Sequence, residues 1–192
     1  MRGRAVVTVH NGPMEHKTWT AVDKATWGPG PWQDEPDKEQ WADEATGYPC
    51  LIVRNRLGAL CGYVGVSEGH PWHGSGYSPG YGSEGELTPA LKLLNGVEVH
   101  GGLTYAGSCQ EGPEGETICH VPAPGEPEPL WWFGFDCAHA WDISPGMEAR
   151  NLTRGWPPIR GNGESYKTVA YVKAECASLA AQAAVAATAV PA

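Results

Sequence analysis

The chain has 192 residues and a formal net charge of −9, a length that suits one domain. The acidity argues against duplex nucleic acid as a partner, because phosphate contacts dominate that affinity, yet it leaves room for a local pocket holding a small anionic ligand. With 26 glycines, 17 prolines and nine tryptophans interspersed among ordinary apolar residues, the composition points to a loop-rich fold of short strands rather than to collagen or disorder.

In chain order, Arg4 to His10 alternates weakly and reads as an edge strand. Trp19 to Trp41 is a tryptophan-punctuated loop, and the prolines around Gly28–Trp32 forbid a continuous helix or strand. Pro36 is placed to open a short helix over Asp37–Asp43. Cys50–Arg54 is an apolar strand, Asn55–Gly58 a turn, and Ala59–Val66 the returning strand of a hairpin. Gly62 and Gly65 leave flat backbone that another group can approach closely. Residues 67–86 form a long loop carrying His70 and His73, and long loops in small domains tend to be functional. Leu87–Leu94 suggests a helical turn stopped by Asn95 and Gly96.

Val97–His100 reads as a strand ending in Gly101 and Gly102, with Leu103–Ala106 resuming it and Ile118–Val121 as a further short strand. Trp131–Asp136 is a core strand that breaks off into polar chemistry, and Ser144–Gly163 looks irregular. Apolar residues at 166, 169, 172, 176 and 179 share one face of a helix running from Tyr166 to about Ala184, with Ser165 as its N-cap. Residues 185–192 read as a flexible tail on a single domain spanning 1–184. The pattern predicts an α+β fold: a loop-rich mixed or antiparallel sheet of short strands with a C-terminal helix packed on one face. The hairpin and the Trp131–Asp136 strand should be central.

No stretch reaches the ~20 apolar residues of a membrane span. The opening residues Met1–His10 are too short an apolar run for a secretory signal. The expected compartment is the cytoplasm, which predicts that the six cysteines are reduced thiols or metal ligands. Their spacing holds no Cys-x-x-Cys, so a zinc ribbon is not expected, although Cys109, Cys119, His120 and Cys137 together have the composition of a structural zinc set.

The chemistry concentrates at strand ends. His100, Asp136 and His139 suit general acid–base work, and with Asp142 they suit a divalent metal such as zinc, manganese or magnesium. The alternative is an internal hydrogen-bond network of structural histidines. Cys137 beside His139 or His100 suits a nucleophile and base, but period-2 alternation turns Cys137 into the core if Asp136 faces the site. Gly101, Gly102 and Thr104 could offer donors to a phosphate or an oxyanion. Without a Gly-x-Ser-x-Gly this is not an α/β-hydrolase site. Tyr63 and Trp131 would stack on a planar ligand, and His70 and His73 would close over it. Arg54, Arg56 and Lys92 are the nearby cations for an anion, with solvation as their default.

Glu35–Trp41, Thr46–Asn55, Cys61–Val66 followed by His70 and Pro71, Val99–Thr104, Trp131–His139 with Asp142, and the helix around Tyr171 form an ordered set. Together they cover most of residues 27–180, and as a set the chain resembles an uncharacterised family of proteins from tailed bacteriophages and some bacteria. The resemblance implies a phage accessory protein working in the host-cell cytoplasm. Proteins of that kind act against host defence, some by cleaving or sequestering nucleotide signals. The first expectation is therefore a metal-assisted hydrolase of a phosphate-containing small molecule. The second is a non-catalytic nucleotide-binding protein, and the third a structural phage protein with a buried His/Asp network.

Overall fold

A computed structural model describes residues 14–77, 94, 96–110, 112–123, 129–158, 161 and 163–189. The expected strand at Arg4–His10, most of the Leu87–Leu94 turn and Lys92 lie outside the described residues. The fold is α+β. Strands β1 (Lys17–Trp19), β2 (Lys38–Ala42), β3 (Pro49–Arg54), β4 (Leu60–Val66), β5 (Tyr105–Ser108) and β6 (Trp131–Asp136) form one six-stranded sheet in the order β1-β2-β3-β4-β6-β5. Every strand pairing in it is antiparallel. Two helices follow, α1 (Pro145–Thr153) and α2 (Val169–Ala189).

The β3–β4 hairpin forms the centre because its residues are apolar on both faces, and a strand covered on both sides reads as a continuous apolar run. Asn55 closes its turn by accepting the N–H groups of Leu57 and Ala59 through Oδ1, at 2.9 and 3.1 Å. On one face Ile52, Leu60, Val64, Phe133 and Phe135 pack against Val172, Cys176, Leu179 and Ala183 of α2. Gly62 sits where this packing is tightest. A Cβ there would collide with the Phe135 ring and lie 2.8 Å from Cys176 Sγ. The close approach foreseen at this glycine is therefore made by the protein's own core. The other face carries Leu51, Val53, Tyr63 and Trp132 under a loop-built cover that includes Ile118.

Several expectations give way to tertiary context. The helix expected at Asp37–Asp43 is strand β2. Its Lys38 and Gln40 are fully buried, because their polar heads bind backbone of the covering loop. Ser144–Gly163 is not wholly irregular: Pro145 opens α1 as a first-turn proline, and the Glu148 N–H donates to Ser144 O at 3.0 Å. Helix α2 begins at Val169 rather than Tyr166 and continues to Ala189, with Ala186 buried inside the expected tail. Its start is held by Thr168, whose carbonyl accepts the Val172 N–H, and by Glu35, whose Oε1 accepts the Val169 N–H at 2.8 Å. Ser165 is not the cap. It bridges to Asp142 through backbone, and its hydroxyl accepts from Lys167 Nζ at 2.7 Å.

Neither Val97–His100 nor Ile118–Val121 is a strand. In both places a glutamine side chain does what a neighbouring strand would do. Gln182 of α2 takes the Glu98 N–H and donates to the Glu98 carbonyl, at 2.9 and 2.8 Å. Gln40 does the same for Val121, at 2.8 and 3.0 Å. Backbone groups must be paired when buried, but the partner need not be backbone.

Candidate acid–base site

β6 ends at Asp136, whose Oδ1 accepts the Ala138 N–H at 3.0 Å and turns the chain. A second turn follows, with the Asp142 N–H donating to His139 O at 3.0 Å. Between them Trp141 is 59% exposed and held at φ 76°, the left-handed region that a bulky residue rarely occupies. Such an outlier at a cluster of titratable groups is a reason to look for function there. The Asp142 backbone is tied to Ser165, which brings Lys167 and the start of α2 alongside. His100 arrives from the turn before β5, its backbone N–H donating to Glu175 Oε2 at 2.8 Å. Tyr171 and Glu175 lie one turn apart on α2 and so share a face.

These segments meet at one corner. His100 Nε2 lies 2.7 Å from Asp142 Oδ2, and His100 Nδ1 lies 3.0 Å from the Tyr171 hydroxyl. An ionised carboxylate only accepts, so the proton of a neutral ring belongs on Nε2 and Nδ1 is the acceptor. The phenol then donates to Nδ1. Burial, followed by the negative charge of Glu175, pushes the Tyr171 hydroxyl above its usual range, which keeps that proton in place. Asp142 is nearly buried, its Oδ2 also accepting the His139 N–H at 3.1 Å, with Lys167 Nζ 3.6 Å from Oδ1. The result is a chain running from Asp142 through His100 to Tyr171, whose outer end reaches solvent.

His139 stands beside it, with ring centroids 5.7 Å apart. Its Nε2 is 3.8 Å from Asp136 Oδ1, outside hydrogen-bond range, and has no hydrogen-bond partner among the described residues. The ring lies directly over Gly101, so that a Cβ at 101 would run into it. With φ at +66°, Gly101 is needed twice, for its backbone turn and for the space the imidazole fills.

The corner thus unites His100, His139, Asp142 and Asp136, but as two pairs rather than as a metal cage. The four expected ligands therefore share a corner without being among the groups whose ligand atoms all lie within 4.8 Å of one another. Among the described residues, the group whose ligand atoms all lie within 4.8 Å of one another is Cys109, Cys119 and His120. That group could hold a metal, but Cys109 and Cys119 are joined as a disulfide. Cys137, expected as a fourth zinc ligand, is buried on the opposite face of the sheet in the α2-facing core. Burial raises its thiol, which disfavours the thiolate that a ligand or nucleophile needs. The expectation of reduced thiols is corrected for Cys109 and Cys119, while Cys50, Cys61, Cys137 and Cys176 are free and buried.

The expected ligand-binding set is dispersed. The backbone N–H groups of Gly102 and Thr104 donate to Val99 O at 3.0 Å and Gly134 O at 2.8 Å, so those donors are already occupied. Tyr63 is buried on the face away from α2, edge-on to Tyr105. His70 is structural: its Nδ1 accepts the Trp72 N–H at 3.1 Å, and Nε2 meets Ala183 O of α2 at 3.1 Å. His73 leans on Trp131, ring to ring at 5.9 Å, at the far end of β6 from Asp136. Part of the 67–86 loop lies outside the described residues.

Arg54 is not a surface cation either. It is buried, donating to Asp37 Oδ1 at 2.8 Å, Tyr166 OH at 2.6 Å and Glu35 Oε2 at 3.3 Å. Lys24 Nζ completes the cluster at 2.8 Å from Asp37 Oδ1. A cavity of about 380 Å³ lies elsewhere, beneath the loop that covers the sheet face away from α2, lined by Lys38, Gln110, Glu114, Thr117 and the Cys109–Cys119–His120 group. Burial lowers the Lys38 ammonium to about 8. Its protons are directed at Glu114 O and Cys119 O and it lies 4.9 Å from the Trp19 ring centroid, an arrangement that anchors the loop.

Reading the sequence for histidines and acids overlooked Tyr171, Lys167, Glu175 and Trp141. Tyr171, Lys167 and Glu175 belong to α2 or its approach, and the helical period that marks a buried face says nothing of what the opposite face meets. Comparison with protein-family models, with curated proteins and with solved structures gives no match for this chain. Among the described residues no helix is long and apolar enough to cross a membrane.

Proposed function

We propose that the protein is a hydrolase of phosphate-containing small molecules, nucleotide signals among them, working by acid–base catalysis at the His100 corner. The observation that carries this reading is His100 held between the Asp142 carboxylate and the Tyr171 hydroxyl, with a second imidazole at 5.7 Å. A carboxylate-oriented imidazole is a base whose tautomer is fixed, and once substrate takes the place of the Tyr171 hydroxyl at Nδ1 it can accept the proton of a water or hydroxyl attacking phosphorus. His139 supplies the acid for the leaving oxygen. The Lys167 ammonium neutralises charge at the corner. Trp141, exposed beside Asp142, offers a face on which a base can stack. In this reading the phage accessory role and the anti-defence purpose rest on the resemblance, and the substrate class agrees with them.

The exposed, left-handed Trp141 also favours a second reading, in which the corner sequesters a nucleotide without cleaving it. The two separate on a panel of mono-, di- and cyclic nucleotides incubated with the protein, denatured and analysed by chromatography. Product that forms with wild type and is absent with His100→Ala supports the hydrolase. Ligand retained through gel filtration and recovered intact supports sequestration. A panel neither bound nor changed overturns both.

A further inference from the structure

We infer that Cys109, Cys119 and His120 form a site for a thiophilic divalent cation of the zinc class in the reduced chain, and that the disulfide is the closed form of that site. The inference is independent of the His100 corner.

The donor set is two sulfurs and an imidazole, the combination that zinc prefers among the common biological cations. Their ligand atoms lie within 4.8 Å of one another, a spread that small side-chain rotations can close around an ion. What holds them there is not the disulfide alone. The fully buried Lys38 donates to the carbonyls of Glu114 and Cys119, one inside the Cys109–Cys119 loop and one at its end. Gln40 clamps Val121, two residues beyond Cys119, by both its backbone groups. The His120 ring packs on Trp132 of β6, centroids 5.7 Å apart. These anchors persist when the sulfur–sulfur bond opens, so the ligands stay gathered and little ordering remains to oppose metal binding.

The same three residues line the cavity of about 380 Å³, together with Lys38, Gln110 and Thr117. Three protein ligands beside an open cavity leave the fourth tetrahedral position to water or to a small ligand, as in sites that do more than brace a fold. The chemistry balances with a dithiol reductant. Its thiolate attacks one sulfur, the Cys109–Cys119 bond breaks, and two electrons pass to the protein as the reductant closes to its own disulfide. The divalent cation then displaces the two thiol protons to solvent.

The test uses the 192-residue chain and Co²⁺ as a spectroscopic stand-in for zinc. Wild type is prepared oxidised, or reduced with a dithiol that is removed anaerobically, then given Co²⁺ and desalted. The expected result is stoichiometric cobalt with thiolate-to-metal charge-transfer bands in the reduced protein, and neither in the oxidised protein. Cys109→Ser should lose the bands, and His120→Gln should weaken retention while keeping the native circular dichroism. Reduced wild type that takes up no cobalt overturns the inference. So do bands that survive in a Cys109→Ser/Cys119→Ser chain, since they would arise from the other cysteines.

Discussion

Two polar clusters flank the first turn of α2, and they are built to opposite ends. On one side Arg54, Asp37, Lys24, Glu35 and Tyr166 are packed out of water, each charge met by an opposite charge and by backbone. Asp37 shows the outcome: burial raises its carboxyl, but the hydrogen bonds from Lys24, Val22, Ala21 and Arg54 outweigh that and hold it below its usual range. On the other side His100, His139 and Tyr171 keep edges at the surface, and the buried His139 Nε2 has no hydrogen-bond partner among the described residues, with Asp136 Oδ1 at 3.8 Å. A cluster whose groups are all satisfied fixes the fold. One with solvent-facing imidazole edges beside a strained, exposed tryptophan is the candidate site. Charge density alone does not tell the two apart.

If that contrast is right, substitutions on the two sides must fail differently. His100→Ala should lower turnover of the cleaved nucleotide by about 10²–10⁴-fold, the usual worth of a positioned acid or base, while stability changes by roughly 1 kcal/mol, measured by steady-state assay and denaturant melts. Arg54→Met should do the reverse. Removing one partner of a buried ion network leaves the others uncompensated, at a cost of about 3–5 kcal/mol in a urea titration. Gly101→Ala probes the join between fold and site. A Cβ in the left-handed region that also displaces the His139 ring should cost about 1–3 kcal/mol and reduce turnover together.

The smallest effect belongs to His70. Burial lowers its imidazole from the ordinary 6.5. The unfolded chain therefore takes up the proton first as pH falls. Its contribution to stability is full above pH 6.5 and is lost below it. His70→Gln should flatten the pH dependence of the urea midpoint across that window.

The legible parts of this protein were those where one physical signal dominates. The β3–β4 hairpin announces itself by unbroken apolar residues, and β6 by four aromatics and a glycine leading into Asp136. The expected meeting of His100 with Asp136 came from two strand ends, whereas His100 arrives from a turn and its imidazole pairs with Asp142. What was hidden was whatever depends on a partner distant in sequence. Lys38, Glu39 and Gln40 look like an exposed helix after Pro36. They form a strand because two of them reach carbonyls some 80 residues away, with separations of 76 and 81. Val97–His100 looks like a strand, yet its backbone is met by Gln182 and Glu175 on a helix. Tyr171 gives no sign in sequence that it will face an imidazole 71 residues earlier.

The most direct test is to measure turnover and thermal stability on one preparation of His100→Ala beside wild type. The account predicts that turnover falls at least about 100-fold while the melting temperature moves by no more than about 4 °C, the equivalent of 1 kcal/mol in a chain of this size. A melting temperature that collapses as in Arg54→Met, or turnover that persists in the variant, would contradict it and place His100 among the residues that only hold the fold together.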